Sequence, residues 1–185
     1  MTTHDSSQEL LGRFRQAFRR FPATVTVISY VDAADRPSGV TATAVTSLSV
    51  EPPSILISLN RQARSRDAIV RVGLFGVNVL ALGQEPIATH CSRPGTEQVL
   101  SSTWLLAPAA ARTPVLTGSL AHLDCTVAHV HEVHTHSVIV GRVASVWLGS
   151  AAMPLVYSEG AYRTLDPDIE QSYEWTCPGL VDTLS

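Results

Sequence analysis

The chain has 185 residues with 13 Lys plus Arg against 16 Asp plus Glu, a formal charge of −3, and 45% apolar side chains, enough to bury a sizeable core. That balance argues against nucleic acid or an anionic membrane as partner, and no apolar run approaches the roughly 18 residues that a bilayer span requires. Every basic residue is arginine. Without lysine there is no Walker A phosphate loop and no Schiff-base or pyridoxal phosphate chemistry.

Residues 6–21 read as an amphipathic helix. Ser6 and Glu9 have capping-box spacing, and Leu10, Phe14, Ala17 and Phe21 share one face. Residues 23–31, ATVTVISYV, read as a strand, and residues 32–37 as a turn. The most informative stretch follows, from Val40 to Arg61. It reads as two strands around the corner Glu51-Pro52-Pro53, because proline cannot donate to a ladder. From Thr41 to Ser47 no side chain is larger than valine. A strand of such residues either packs against a helix or leaves its backbone open to a flat ligand.

Ser65 is placed to cap a short helix over residues 66–72 that ends at Gly73, and Arg61, Arg64 and Arg66 flank its start. A helix start beside cations suits an anion. Residues 74–80, LFGVNVL, read as a strand with Asn78 inside it. A short helix is expected over 85–91 with Pro86 in its first turn, then a long surface excursion over 92–114 serving as a lid or partner contact.

Strands are expected over 120–130 and 137–148, with His129, His131, His134 and His136 between or beside them. Alternation puts His129 and His131 on one face, but no third ligand stands at a telling spacing, so no metal site is assigned. Residues 155–163 read as a hairpin turning at Glu159-Gly160. Trp175, in the tail after Asp166, would anchor that tail to the body or to a second subunit. Cys91, Cys125 and Cys177 are odd in number and widely spaced, as expected of reduced thiols. With no export signal visible, they place the protein in the cytoplasm.

The expectation is therefore one domain over 1–185, with a core of about 14–165 and a tail of 166–185. It is mainly β with short helices, a closed or nearly closed barrel of six or seven strands. The apolar composition predicts a homodimer.

Several segments in order carry a resemblance. They are Phe18, Phe21-Pro22 and TVTVIS; then Val40-Thr41, Thr43, Thr46-Ser47, Ser49 and Pro52-Pro53. Leu59-Asn60-Arg61, Ser65, Phe75 and Asn78-Val79-Leu80 follow, then Gln84, Pro114-Val115-Leu116, Cys125, His136, Gly141-Arg142-Val143 and Pro154-Leu155-Val156-Tyr157. Together they resemble the short-chain flavin reductases of two-component monooxygenases, which share the FMN-binding split barrel with its Greek-key-like topology. Ala44 and Val45 stand where that family usually has serine and phenylalanine, Cys91 where phenylalanine is common, and His134-Thr135 replace a Gly-Asp pair.

The resemblance implies an NAD(P)H-dependent oxidoreductase that reduces FMN or FAD and supplies it to a separate oxygenase, with NADH or NADPH as hydride donor. The alternative is a flavin-binding protein of the same fold that runs a different redox reaction on an organic substrate. The flavin ring would lie against Thr41, Thr43, Ala44, Val45, Thr46 and Ser47. The ribityl chain would run along Ser58, Leu59, Asn60 and Arg61. Arg61 and Ser65, with Arg64 or Arg66, would hold the phosphate, and Asn78 would orient that loop from behind. His136 is the candidate catalytic residue, positioning the nicotinamide.

Overall fold

β-Branched runs separated by turn residues become strands in the structure, a computed structural model that describes residues 7–93, 98–106 and 111–165. Helix α1 spans Ser7–Arg19. The expected strand at 23–31 is broken at Val25 into β1 (Ala23–Thr24) and β2 (Thr26–Val31), because Val25 N–H donates to Leu155 O at 2.9 Å. A turn follows in which the Asp32 carboxylate accepts from Ala34 and Arg36 N–H at 2.8 and 2.9 Å. Strand β3 is Pro37–Ala42, β4 Val45–Val50 and β5 Pro53–Asn60. Helix α2 is Arg64–Val72, β6 Leu74–Val79 and α3 Glu85–Ser92.

The long excursion holds a short 3₁₀ turn, Ser102–Trp104, and two brief strands that pair, β7 (Leu105–Leu106) and β8 (Val115–Leu116). A long hairpin follows, β9 (Ala121–Val133) and β10 (His136–Leu148). The last hairpin is β11 (Val156–Ser158) and β12 (Ala161–Arg163), turning at Glu159 and Gly160, both with positive φ, where the sequence put it. Trp175, Cys177 and the tail lie outside the described residues.

Seven strands form one antiparallel sheet in the order β3-β2-β6-β9-β10-β5-β4. Its two edges, β3 and β4, are separated in sequence only by Thr43 and Ala44. Three Cα steps span at most about 11 Å. The sheet therefore curls until its edges meet at that corner, yet no ladder joins them. Of the closed or nearly closed barrel expected, the structure has the split form, not the closed one. One expectation is corrected: the small-residue run Thr41–Ser47 is not one strand but the end of β3, a crossover and the start of β4. Gly39 N–H donates to Gln98 O and Leu100 N–H to Pro37 O, both at 2.9 Å. The excursion thus lines the outer rim of β3 over its first half.

Inside the curl lie Ile28, Tyr30, Ile55, Ile57, Leu59, Phe75, Val77 and Ile139, with Ala68 and Ile69 of α2 packed among them. Gly141 faces Phe75, and a Cβ there would sit 2.4 Å from the ring. A second cluster, Val25, Val27, Leu80, Ile87, Ala88, Cys91 and Leu100 among its members, joins the outer face of β2 to α3. Both described thiols, Cys91 and Cys125, are free and buried, and burial pushes each up to about 12. Helix α1 buries no residue. Its apolar face stays exposed, with the Phe14 ring tilted against Phe18 at a centroid distance of 4.6 Å and Phe18 stacked on Phe21, just past the helix, at 5.2 Å. No helix among the described residues is long and apolar enough to cross a membrane.

Candidate active site

The crossover at Thr43-Ala44 opens two adjoining clefts. One, of about 500 Å³, is walled by Thr24, Thr26, Thr43, Val45, Thr46 and Ser47 among others. The other, of about 800 Å³, lies between Ala44, Tyr157 and the aromatic face of α1. Both share Pro22, Ala23 and Thr43. Among the described residues the outer edge of β4 has no strand partner, so backbone groups there are open to a ligand. Ser58 N–H donates to Ala44 O at 3.1 Å and fastens the crossover to β5. Thr41 does not join this wall. Its hydroxyl turns the other way and donates to Ala88 O at 2.6 Å.

At the far end of β5 the chain enters α2. Leu59 points into the core, while Asn60 is exposed and its Oδ1 accepts from Gln62 N–H at 2.9 Å. Arg61 is anchored to the β9–β10 turn. Its N–H donates to Thr135 O at 3.0 Å, Nη1 to His134 O at 3.2 Å, and Nε meets Glu132 Oε2 at 2.7 Å. Arg66 donates to Ser137 Oγ at 3.1 Å and to the other Glu132 oxygen. The hydrogen bond from Arg66 is the main reason the Glu132 carboxyl is held below its ordinary range. Arg66 Nη1 also meets Asp67 Oδ1 at 3.0 Å, so these two guanidiniums are balanced by two carboxylates, and the surplus positive charge beside the start of α2 is that of Arg64.

Ala63, not Ser65, is the residue before α2, and it supplies no side-chain cap. Ser65 sits inside the first turn, 1% exposed, and its hydroxyl has no partner among the described residues. A buried hydroxyl in that state costs free energy unless something else bonds it.

Asn78 was expected behind this loop and is elsewhere. Its amide donates to Val27 O at 3.2 Å and Ser29 Oγ at 3.0 Å, and its Oδ1 accepts from Leu116 N–H at 2.9 Å. It ties β2 and β6 to β8, and bonds none of residues 58–65. Its Oδ1 also lies 2.9 Å from His122 Nδ1, so that nitrogen carries the proton. His122 Nε2 lies 3.4 Å from Asp124, which accepts from Thr113 and from Arg112 N–H at 2.8 Å. Burial pulls His122 below its ordinary value despite Asp124, so it is neutral. The sequence reading missed this network; the signal was the alternation of His122 and Asp124 with Leu123 and Cys125 along β9.

His136 is exposed at the start of β10, opposite Asn60, with Nδ1 2.9 Å from Thr135 Oγ1. Val45 pairs with Ile57, so His136 lies three residues along β5 and two strands across from it. That is about 10 Å in each direction. Within one chain the structure does not bring His136 to the Thr43–Ser47 corner. The rings of His129 and His131 stack at 6.2 Å, and no group of three potential metal ligands occurs among the described residues.

A split sheet with a bare edge, small side chains at the split and a cationic, uncapped helix start at its end suits a flat ligand with a phosphorylated tail. The family description "flavin reductase like domain" matches residues 18–166. The chain is 34% identical over 155 residues to an NADH-dependent flavin reductase from Rhodococcus sp, covering 82% of this chain and 85% of that one. It is 34% identical over 163 residues to the reductase subunit of a flavin-dependent monooxygenase from Rhodococcus jostii, covering 88% and 82%. Among solved structures, the NADH:FAD oxidoreductase of Streptomyces globisporus in complex with NAD and FAD fragments matches with a TM-score of 0.78 at 27% identity, over 90% of this chain and 99% of that one. The chain belongs to the flavin reductase-like family.

Proposed function

We propose that this protein is a cytoplasmic, homodimeric flavin reductase that takes a hydride from NADH, passes it to FMN or FAD, and releases the reduced flavin to a separate oxygenase. The single observation that carries the reading is the buried, unpartnered Ser65 hydroxyl at the start of α2, beside Arg61 and Arg66 and in line with the bare edge at Thr43–Ser47. A flavin phosphate would satisfy that hydroxyl and take the surplus positive charge.

The bound flavin supplies the redox chemistry. The chain's own work is placement. Along Ala44, Val45, Thr46 and Ser47 the alternate backbone N–H groups not spent on β5 face the ring edge, Ser58 and Asn60 flank the ribityl chain, and Arg61 and Ser65 hold the phosphate. Aligning donor and acceptor is most of what a protein contributes to hydride transfer. A scarcity of acid–base groups at the corner is consistent with that task. NADH is favoured over NADPH because the curated relatives are named for it.

His136 is assigned to positioning the nicotinamide, which then reaches across from the corner toward the start of β10. His136→Ala should raise the KM for NADH and leave the affinity for flavin unchanged; loss of flavin affinity instead would remove that role. The function as a whole is tested by mixing purified protein with NADH or NADPH and FMN or FAD and following oxidation of the nicotinamide. No acceleration with either flavin would refute it.

A further inference from the structure

We propose that the cleft between α2 and the β2–β3 hairpin holds the adenylate half of FAD, which makes FAD rather than FMN the preferred flavin. This rests on the flavin reading above and extends it to a second site, which FMN has no group to reach.

The cleft measures about 480 Å³, within the range of about 300–1,000 Å³ typical of small-molecule sites. It sits at the end of the split away from the crossover. Thr43-Ala44 ties the edges together at one end, and at the other α2 stands between the start of β3 and the end of β5. Arg64 and Ser65 are consecutive in the first turn of α2. Ser65 is buried beside the phosphate cradle, and Arg64 lines the new cleft. A diphosphate could therefore pass over the helix start, leaving its second phosphate against Arg64 and its adenosine beyond.

Three side chains on the wall have unused bonding capacity for such a group. Arg64 makes no hydrogen bond or ion pair among the described residues, whereas Arg61 and Arg66 engage Glu132 and Arg36 engages Asp32. Tyr30 is only 4% exposed, its ring lies in the core, and its hydroxyl makes no hydrogen bond among the described residues. Burial first, then the charge of Asp32, raises that hydroxyl to about 12, with Arg64 pulling the other way. It is therefore a standing proton donor. Gln98 spends its amide nitrogen on Cys91 O at 2.7 Å, which leaves its Oε1 as an acceptor on the cleft wall. A donor and an acceptor match the ring nitrogens and exocyclic amine of adenine. Ala34, Ala68 and Val99 supply apolar surface for the flat ring.

The test compares dissociation constants for FMN and FAD by fluorescence titration, in the wild type and two variants. Ala34 is exposed on the hairpin turn, so Ala34→Trp fills the cleft from outside; Tyr30→Phe removes only the hydroxyl. The wild type should bind FAD about tenfold or more tighter than FMN, the scale of one or two good polar contacts. Ala34→Trp should bring FAD to the affinity of FMN, Tyr30→Phe should close part of that gap, and both should leave FMN unchanged. Equal affinities in the wild type overturn the proposal. So does an Ala34→Trp variant that weakens both flavins alike, or one that raises the KM for NADH while the ratio of FAD to FMN stays put; the last result assigns the cleft to the adenylate of the nicotinamide instead. FMN binding keeps the two questions apart. If neither FMN nor FAD binds the wild type, the flavin reading itself fails and this site with it.

Discussion

Arg61 shows how one residue joins the cradle to the body. It holds the β9–β10 turn through two carbonyls and shares Glu132 with Arg66. If its guanidinium also meets a phosphate, Arg61→Ala should weaken FMN by roughly tenfold or more, the scale of a hydrogen bond between charged groups. Riboflavin, which lacks the phosphate, should bind the variant as it binds the wild type; an equal loss for both would show the effect to be structural. Glu132 gives a pH signature. Its folded carboxyl titrates below the ordinary value, so its contribution to stability is present above the ordinary carboxylate pKa of about 4.3 and disappears as pH falls through the lower folded value. Glu132→Gln should therefore melt below the wild type at neutral pH, with the gap closing as pH falls below that ordinary value. A gap that stays constant across that range would mean that the charge is not what matters.

At the scale of elements, helices and hairpins were legible because each carries a local signal. Pro86 opens α3, Gly73 closes α2 with φ of 74°, and Glu159-Gly160 turns the last hairpin. What the sequence hid was partnership. Thr41 and Thr46 look alike in a run of small residues, yet one bonds α3 and the other lies on the opposite edge of the sheet. Asn78 reads equally well as serving the phosphate loop or the core, and only the distance to His122 and Leu116 decides it. For the same reason Ser65, read as a cap, is a buried hydroxyl without a partner among the described residues.

The network between β6, β9 and the 111–116 segment carries its own prediction. Gly76 lies against it, where a Cβ would sit 2.5 Å from both Ser29 Oγ and Thr113 Oγ1. His122 is neutral there because its folded pKa lies below the ordinary value of about 6.5. The unfolded chain takes up a proton as pH falls through that value and the folded one does not. Stability should accordingly drop as pH falls through about 6.5, and His122→Gln should flatten that slope while costing stability at every pH. Denaturant midpoints at several pH values would measure it, and an unchanged slope would refute it.

At the scale of the whole molecule the unfinished surface is α1. A helix that buries nothing while presenting Leu10, Phe14 and Phe18 to water is costly alone, since it leaves several large side chains at half or more exposure. In the homodimer proposed above, a second copy would cover it. Phe14→Glu with Phe18→Glu should convert a dimer to a monomer by light scattering and should lower turnover as well, because the same aromatic face walls the cleft beside Thr43 and Ala44. A double variant that keeps its mass would move the subunit contact to another face.

The crossover at Thr43-Ala44 also limits how the gene can vary. Its length is set by the gap it spans, and β4 begins immediately after it. One extra codon there would have to be absorbed either by a loop bulging into the ligand cleft or by sliding β4 one place along β5. The slide would turn Val45 outward and bring Thr46 in among the isoleucines. Insertions and deletions should therefore be tolerated in the excursion after α3 and selected against at this corner, a bias that a library of single-codon insertions along the chain would measure.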